Sequence, residues 1–231
     1  MAKKHSESID GVEVIESSLS RTEQFIEDNQ KTLTIVVVVI LAIVGAYLGY
    51  NKYYIAPLEE EAEQQVFAAE QYFEKDSFRL ALNGDGNYLG FEYIADEYSS
   101  TKTGNLANYY AGICCLKLGQ YDEAIDYLEN FSSDDKVVSP MALAAIGDAY
   151  SEKQNFDQAL NYYMQAVDNS DNTFTAPTIL LKAGIVAEKM GNFNKAIDIY
   201  ERIKEDYPKS FEGNLSRIEK YITRAKVKGS V

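Results

Sequence analysis

A chain of 231 residues with 36 acidic against 22 basic side chains and a single histidine carries a formal charge of −14. That balance excludes a nucleic-acid binder, which needs clustered cations to displace counterions from phosphates, and it argues against lying flat on anionic lipid. The two cysteines, Cys114 and Cys115, are adjacent; an ordinary disulfide between helix neighbours would be strained, so two free, mostly buried thiols are expected.

Residues 1–31 form a short acidic head with 4 basic and 7 acidic side chains. Residues 33–50 follow, LTIVVVVILAIVGAYLGY, without a charge between Lys31 and Lys52. As a helix, such a run is about 27 Å long, close to the roughly 30 Å hydrocarbon thickness of a bilayer. Strands rarely exceed about ten residues, and a soluble core helix of this length would carry a polar stripe. One transmembrane helix is therefore expected over residues 32–52, with the lipid bilayer as a partner. Tyr47, Tyr50, Tyr53 and Tyr54 gather at its end, where amphipathic rings prefer the headgroup zone. Val44 and Ala46 satisfy a small-x-small cleavage rule, but the head is long and acidic where a cleavable signal is short and basic, which favours an uncleaved signal anchor. Arg21 and Lys31 precede the span and only Lys52 follows it closely, which points the head inward and the C-terminal domain outward.

The domain over residues 53–231 is repetitive. GQYDEAI (119–125), QNFDQAL (154–160) and GNFNKAI (191–197) share one pattern, and Gly112, Gly147 and Gly184 stand seven residues before each. A mid-helix glycine costs about 1 kcal/mol relative to alanine, which is reasonable where a second helix must pass close by. Ala124, Ala159 and Ala196 are expected to supply the matching small surface on that second helix. Tyr121, Phe156 and Phe193 open the helix, and Leu128, Tyr163 and Tyr200 are expected to face the next unit. No single pair buries its apolar face alone, so the units must stack.

These residues resemble the tetratricopeptide repeat (TPR), a helix–turn–helix unit, over 105–138, 140–173 and 177–210. The small residue, aromatic and alanine fall at the family's positions, with Pro208 closing the last unit. Asn108, Leu143 and Leu180 replace an aromatic, and Phe131 and Ile203 replace an alanine. The resemblance implies an all-α, right-handed TPR solenoid preceded by one transmembrane helix. A degenerate first repeat is expected over 57–99. Its first helix, 58–78, would align Ala62, Val66, Ala69, Phe73 and Leu80, and its second would carry Phe91, Ile94 and Tyr98. A capping helix is expected over 210–227, with Leu215, Ile218, Tyr221 and Ile222 on one face and Arg217, Lys220, Arg224 and Lys226 solvated on the other.

No catalytic set can be assembled: His5 is alone, and no HExxH or phosphate-cradling glycine loop exists. Asn83, Asp85 and Asn87 imitate the start of a calcium loop, but Tyr88 and Ile94 stand where glycine and glutamate belong, so a plain turn is expected. Glu59–Glu61 and Glu63 suit a solvated first helical turn. The expectation is a non-enzyme without metal, cofactor or small-molecule substrate. In repeats of this type, the concave side is lined from the first helices. The candidate protein-binding groove is therefore Leu106, Tyr109, Ile113, Leu116, Met141, Leu181 and Ile185, with Ala144, Asp148, Ser151, Thr178 and Glu188 alongside. The cationic clamp with which some TPR domains hold an acidic chaperone tail is missing. The groove is either open to an amphipathic segment or covered by the chain's own first repeat or cap.

The order of head, span and repeats resembles the YfgM-like family of ancillary Sec translocon subunits. Phe25, Asn29, Lys31 and Leu33 match that family's approach to the span. The resemblance implies a single-pass bacterial inner-membrane protein with a cytoplasmic N-terminus and periplasmic repeats. It also implies a scaffold near the Sec translocon and periplasmic chaperones. A cytosol-facing adaptor and a self-assembling envelope protein remain the alternatives.

Overall fold

A computed structural model describes residues 7–230, without the side chains of 7–24 and Leu215. Lys3, Lys4, His5 and Val231, and the side chains of Arg21 and Leu215, thus lie outside the described residues. Eleven α-helices and no strand occur among the described residues, in two units, Met1–Pro57 and Leu58–Val231.

In the first unit, α1 (Glu7–Tyr50) takes in most of the acidic head as well as the apolar run. No proline interrupts either segment, so nothing stops the helix between them. Its apolar side chains have no cover within the unit: Leu41 is 64% exposed, and Ile35 and Ile43 are similarly open. This is the one helix among the described residues long and apolar enough to cross a membrane. A π-helical turn, Asn51–Ile55, follows α1, and the rings of Tyr50 and Tyr54 stack at 5.2 Å.

The second unit takes in most of α2 (Ala56–Glu74), then α3 (Phe78–Asn83), α4 (Phe91–Glu97) and three helix pairs. These are α5 (Lys102–Leu118) with α6 (Tyr121–Asn130), α7 (Val138–Glu152) with α8 (Phe156–Asn169), and α9 (Ala176–Lys189) with α10 (Phe193–Asp206). Each pair packs on itself and on its neighbour, and α11 (Leu215–Gly229) closes the stack against α10. The turn within each pair needs one left-handed residue. Glycine provides it at Gly119 (φ 79°) and Gly191 (φ 75°), whereas Gln154 (φ 61°) accepts a steric cost of about 1–2 kcal/mol. Asn155 and Asn192 then cap α8 and α10 by accepting from the backbone N–H of Gln158 and Lys195.

The three in-register glycines do admit a close approach, but the partner differs from expectation. A Cβ on Gly112, Gly147 or Gly184 would fall 2.5, 2.7 or 2.2 Å from the side chain of Leu128, Tyr163 or Tyr200, respectively. Those large residues therefore lie over the glycine of their own unit instead of facing the next one. Ala124, Ala159 and Ala196 are fully buried beside them.

The first repeat is more worn than its periodicity suggests. α2 stops at Glu74, Asp76 turns left-handed (φ 55°), and Leu80 falls on α3, where it is exposed. The short extra helix α3 precedes the loop at Asn83–Asn87, which is a turn, and the second helix follows it as α4. Asp85 accepts from the backbone N–H of Asn87 and Tyr88 and from the Tyr72 hydroxyl at 2.7 Å, and these bonds hold its carboxyl below the usual range. Glu59 is not merely solvated, because it accepts from the N–H groups of Lys102 and Thr103 and so caps α5. Phe91 stacks on Tyr110 here and Phe73 meets both rings edge-on, and Cys114 and Cys115 are free and buried, both thiols pushed up to about 12 by burial.

The capping helix buries Ile218, Ile222 and Ala225, but its basic face is not simply solvated. Arg224 and Lys228 pair with Glu188, Lys226 pairs with Glu201, and Arg217 lies 4.0 Å from the centre of the Phe211 ring.

Candidate functional site: an apolar cleft across three first helices

On α5, Tyr109, Ile113 and Leu116 recur at helical spacing and share one face. They meet Met141, Ala144 and Ala145 of α7 and Thr178 and Ile179 of α9 in an open cleft of about 410 Å³. Met141 is 44% exposed within it. Tyr109 is steadied by Tyr110 and Phe131, whose rings lie 5.6 and 5.3 Å away, and burial pushes its phenol up.

Charge enters the cleft only through Lys117, Asp148 and Lys182. The Asp148 carboxylate accepts from Lys182 at 2.7 Å and from the Tyr163 hydroxyl at 2.7 Å. Burial, and then Asp148, push the Tyr163 phenol far up, so it stays a neutral donor. Glu188, one helical turn further along the next first helix, makes a comparable tie: its side chain is 6% exposed and accepts from Tyr200, Arg224 and Lys228. Burial raises its pKa, and the bonds from Arg224 and Tyr200 outweigh that and hold it below the usual range. Each acid thus ties a tyrosine of its own unit to a cation of the next. The first unit has Leu128 where the tyrosine would stand and makes no such tie.

Of the seven groove candidates, Tyr109, Ile113, Leu116 and Met141 meet in the cleft. Leu106 is half-buried outside it. Leu181 is buried, and Ile185 packs against the same core cluster, which also contains Ile218, Ile222 and Ala225 of α11. Leu181 and Ile185 thus belong to the core of the third unit, while Tyr109, Ile113, Leu116 and Met141 of the first two line the open cleft.

Phe174 was not legible as a lining residue, although it is 74% exposed. It sits in the polar loop SDNTFT, where a lone aromatic is the one available signal. Asn172 holds that loop: its Oδ1 accepts from the N–H of Phe174 and Thr175, and its amide donates to Thr175 Oγ1 and to the Lys136 carbonyl. Among the described residues no three His, Cys, Asp or Glu side chains are placed to hold a metal.

Comparison with known proteins bears on the repeats and the fold. Family models described as tetratricopeptide repeat match residues 142–173 and 179–210, the second and third helix pairs. An uncharacterized protein of Aquifex aeolicus (strain VF5) is 32% identical over 82 residues, 33% of this chain and 48% of that protein. The matched stretch thus spans about half the length of that relative. Among solved structures, a Podosopora anserina kinesin light chain with nearly identical TPR-like repeats is similar at a TM-score of 0.56 with 14% identity, covering 74% of this chain and 88% of that one. MamA is similar at a TM-score of 0.51 with 20% identity, covering 70% of this chain and 94% of that one. At such identities the likeness concerns the fold. The second unit carries tetratricopeptide repeats in a helical solenoid, an architecture of protein-interaction scaffolds.

Proposed function

We propose that this chain is a membrane-anchored scaffold whose repeats bind segments of other proteins in the cleft between α5, α7 and the start of α9. The observation that carries this reading is an open, mostly apolar cleft on first helices, walled by rigid neighbours and edged by the exposed Phe174. The uncovered apolar stretch of α1 supports an anchor in the bilayer. Its flanking charges favour a cytoplasmic head and repeats on the periplasmic face of a bacterial inner membrane. The resemblance to ancillary translocon subunits adds a place beside the Sec translocon and its folding helpers.

A charge at Ile113 tests the cleft. It would be stripped of water by a bound segment and stays hydrated in the free protein. Ile113→Glu is expected to reduce partner recovery from detergent-solubilised membranes about tenfold, or about 1.4 kcal/mol, with melting little changed. Cys115→Ala, in the core, is expected to leave recovery intact. Normal recovery with Ile113→Glu moves binding away from this cleft.

A further inference from the structure

A second cleft, of about 770 Å³, opens on another part of the unit. Its walls are α4 and α6, with Asn108 of α5 between them, and Glu92, Asp96, Tyr93, Tyr127 and Asn130 line it. No lysine or arginine is among the lining residues. Glu92 and Asp96 are one helical turn apart on α4, so both carboxylates stand on the same side. Tyr93 beside them is 51% exposed, which leaves its ring available to a ligand.

Glu92 accepts from the amide of Asn83, also in the lining, at 3.2 Å, but no cation pairs with it or with Asp96 among the described residues. Residues 58–121 contain 11 acidic and 4 basic side chains. All eight ion pairs among the described residues lie at Asp122 or beyond. Tyr127 in the lining and the buried Cys115 register the field. Burial raises Tyr127 to about 12, with Glu92, Asp96 and Glu123 adding to the rise, and Glu123 and Glu92 likewise add to the burial effect on Cys115.

From the cleft, its paired carboxylates and its open tyrosine ring, we propose that the α4–α6 cleft docks a basic segment of a protein partner through lysine or arginine side chains. A cation there meets two carboxylates and the face of Tyr93, and each contact favours an ammonium or guanidinium over a neutral side chain. The amides of Asn108 and Asn130 offer hydrogen bonds to an extended backbone. The site lies apart from the apolar cleft and does not depend on what that cleft binds. A scaffold with both would hold an apolar and a basic stretch at once, so that two weak contacts act together.

The test uses the full chain in neutral detergent micelles and fluorescein-labelled hexalysine, read by anisotropy at low salt, with Nε-acetylated hexalysine as the uncharged probe. Hexalysine is expected to bind and the acetylated peptide to fail. Glu92→Gln with Asp96→Asn is expected to weaken binding about tenfold. Tyr93→Ala, at an exposed position, is expected to weaken it several-fold and serves if the double variant melts early. Glu60→Gln with Glu63→Gln removes the same charge from exposed positions on α2 and is expected to change little. Equal weakening by both acid pairs would reduce the effect to net charge and overturn the proposal. So would equal binding of the acetylated peptide, or no binding of hexalysine.

Discussion

Removing residues 210–231 should lower the melting temperature of the repeat unit sharply and leave it prone to aggregate. The deletion takes away the buried Ile218, Ile222 and Ala225 and uncovers Ile199, Tyr200 and Ile203, which share their core cluster. Burying one isoleucine is worth about 1.5–3 kcal/mol, so the lost contacts amount to several kcal/mol of a total near 5–15 kcal/mol. The deletion also strands Glu188, a buried carboxylate that loses Arg224 and Lys228. That second effect depends on pH. A carboxyl held below its ordinary range contributes stability above that range and loses it as pH falls through its folded value. The deletion should therefore cost less in acid, below the usual carboxylate range, than at neutral pH. Circular-dichroism melting of both forms at both pH values reads the two effects. Unchanged melting would contradict the capping role of α11.

The next largest effect is expected from a single methyl group at Gly184. A Cβ there would stand 2.2 Å from Cε1 of Tyr200, a fully buried ring whose hydroxyl is held by Glu188. Neither end of that tyrosine can swing away, so the helices must part. Gly184→Ala should cost about 1–3 kcal/mol, and Gly147→Leu, against the tethered Tyr163, at least as much. Because stacked units share their interfaces, the loss should spread to neighbouring pairs. Hydrogen exchange resolves it by helix, with protection falling first in α9 and α10 for Gly184→Ala. Wild-type melting for either variant would show that the tyrosines are not locked over these glycines.

The three helix pairs were legible because glycine, aromatic and alanine recur in register, and each type answers a local packing need. What periodicity cannot show is the partner. It placed Leu128, Tyr163 and Tyr200 on an apolar face without showing that they close over their own unit's glycines. The cap's buried face was readable from Ile218 and Ile222, yet Arg224 looked solvated because Glu188, its partner, is more than thirty residues away. Leu181 and Ile185 share the helix positions of groove residues but join the core, a difference that spacing alone does not show. Tyr109, Ile113, Leu116 and Met141 could be named in advance because the resemblance to tetratricopeptide repeats assigns those first-helix positions to the concave side. Phe174 could not, since an Asn172-built loop places it. The turn at Asn83–Asn87 was legible from its asparagine, glycine and aspartate residues. The break before α3 was not: Leu80 continues the apolar spacing of α2, and the left-handed Asp76 that ends the helix leaves no trace in that spacing.

The most direct test of an anchored, protein-binding scaffold is photo-crosslinking in intact cells. A photoreactive residue would replace Ile113 or Met141 in the cleft, or Gln158 on an exposed position of α8. Discrete adducts are expected from the two cleft positions and not from Gln158. They should fractionate with membranes and be identified by mass spectrometry as exported or envelope proteins. Adducts of equal yield from all three positions, or adducts found only in the soluble fraction, would contradict the account.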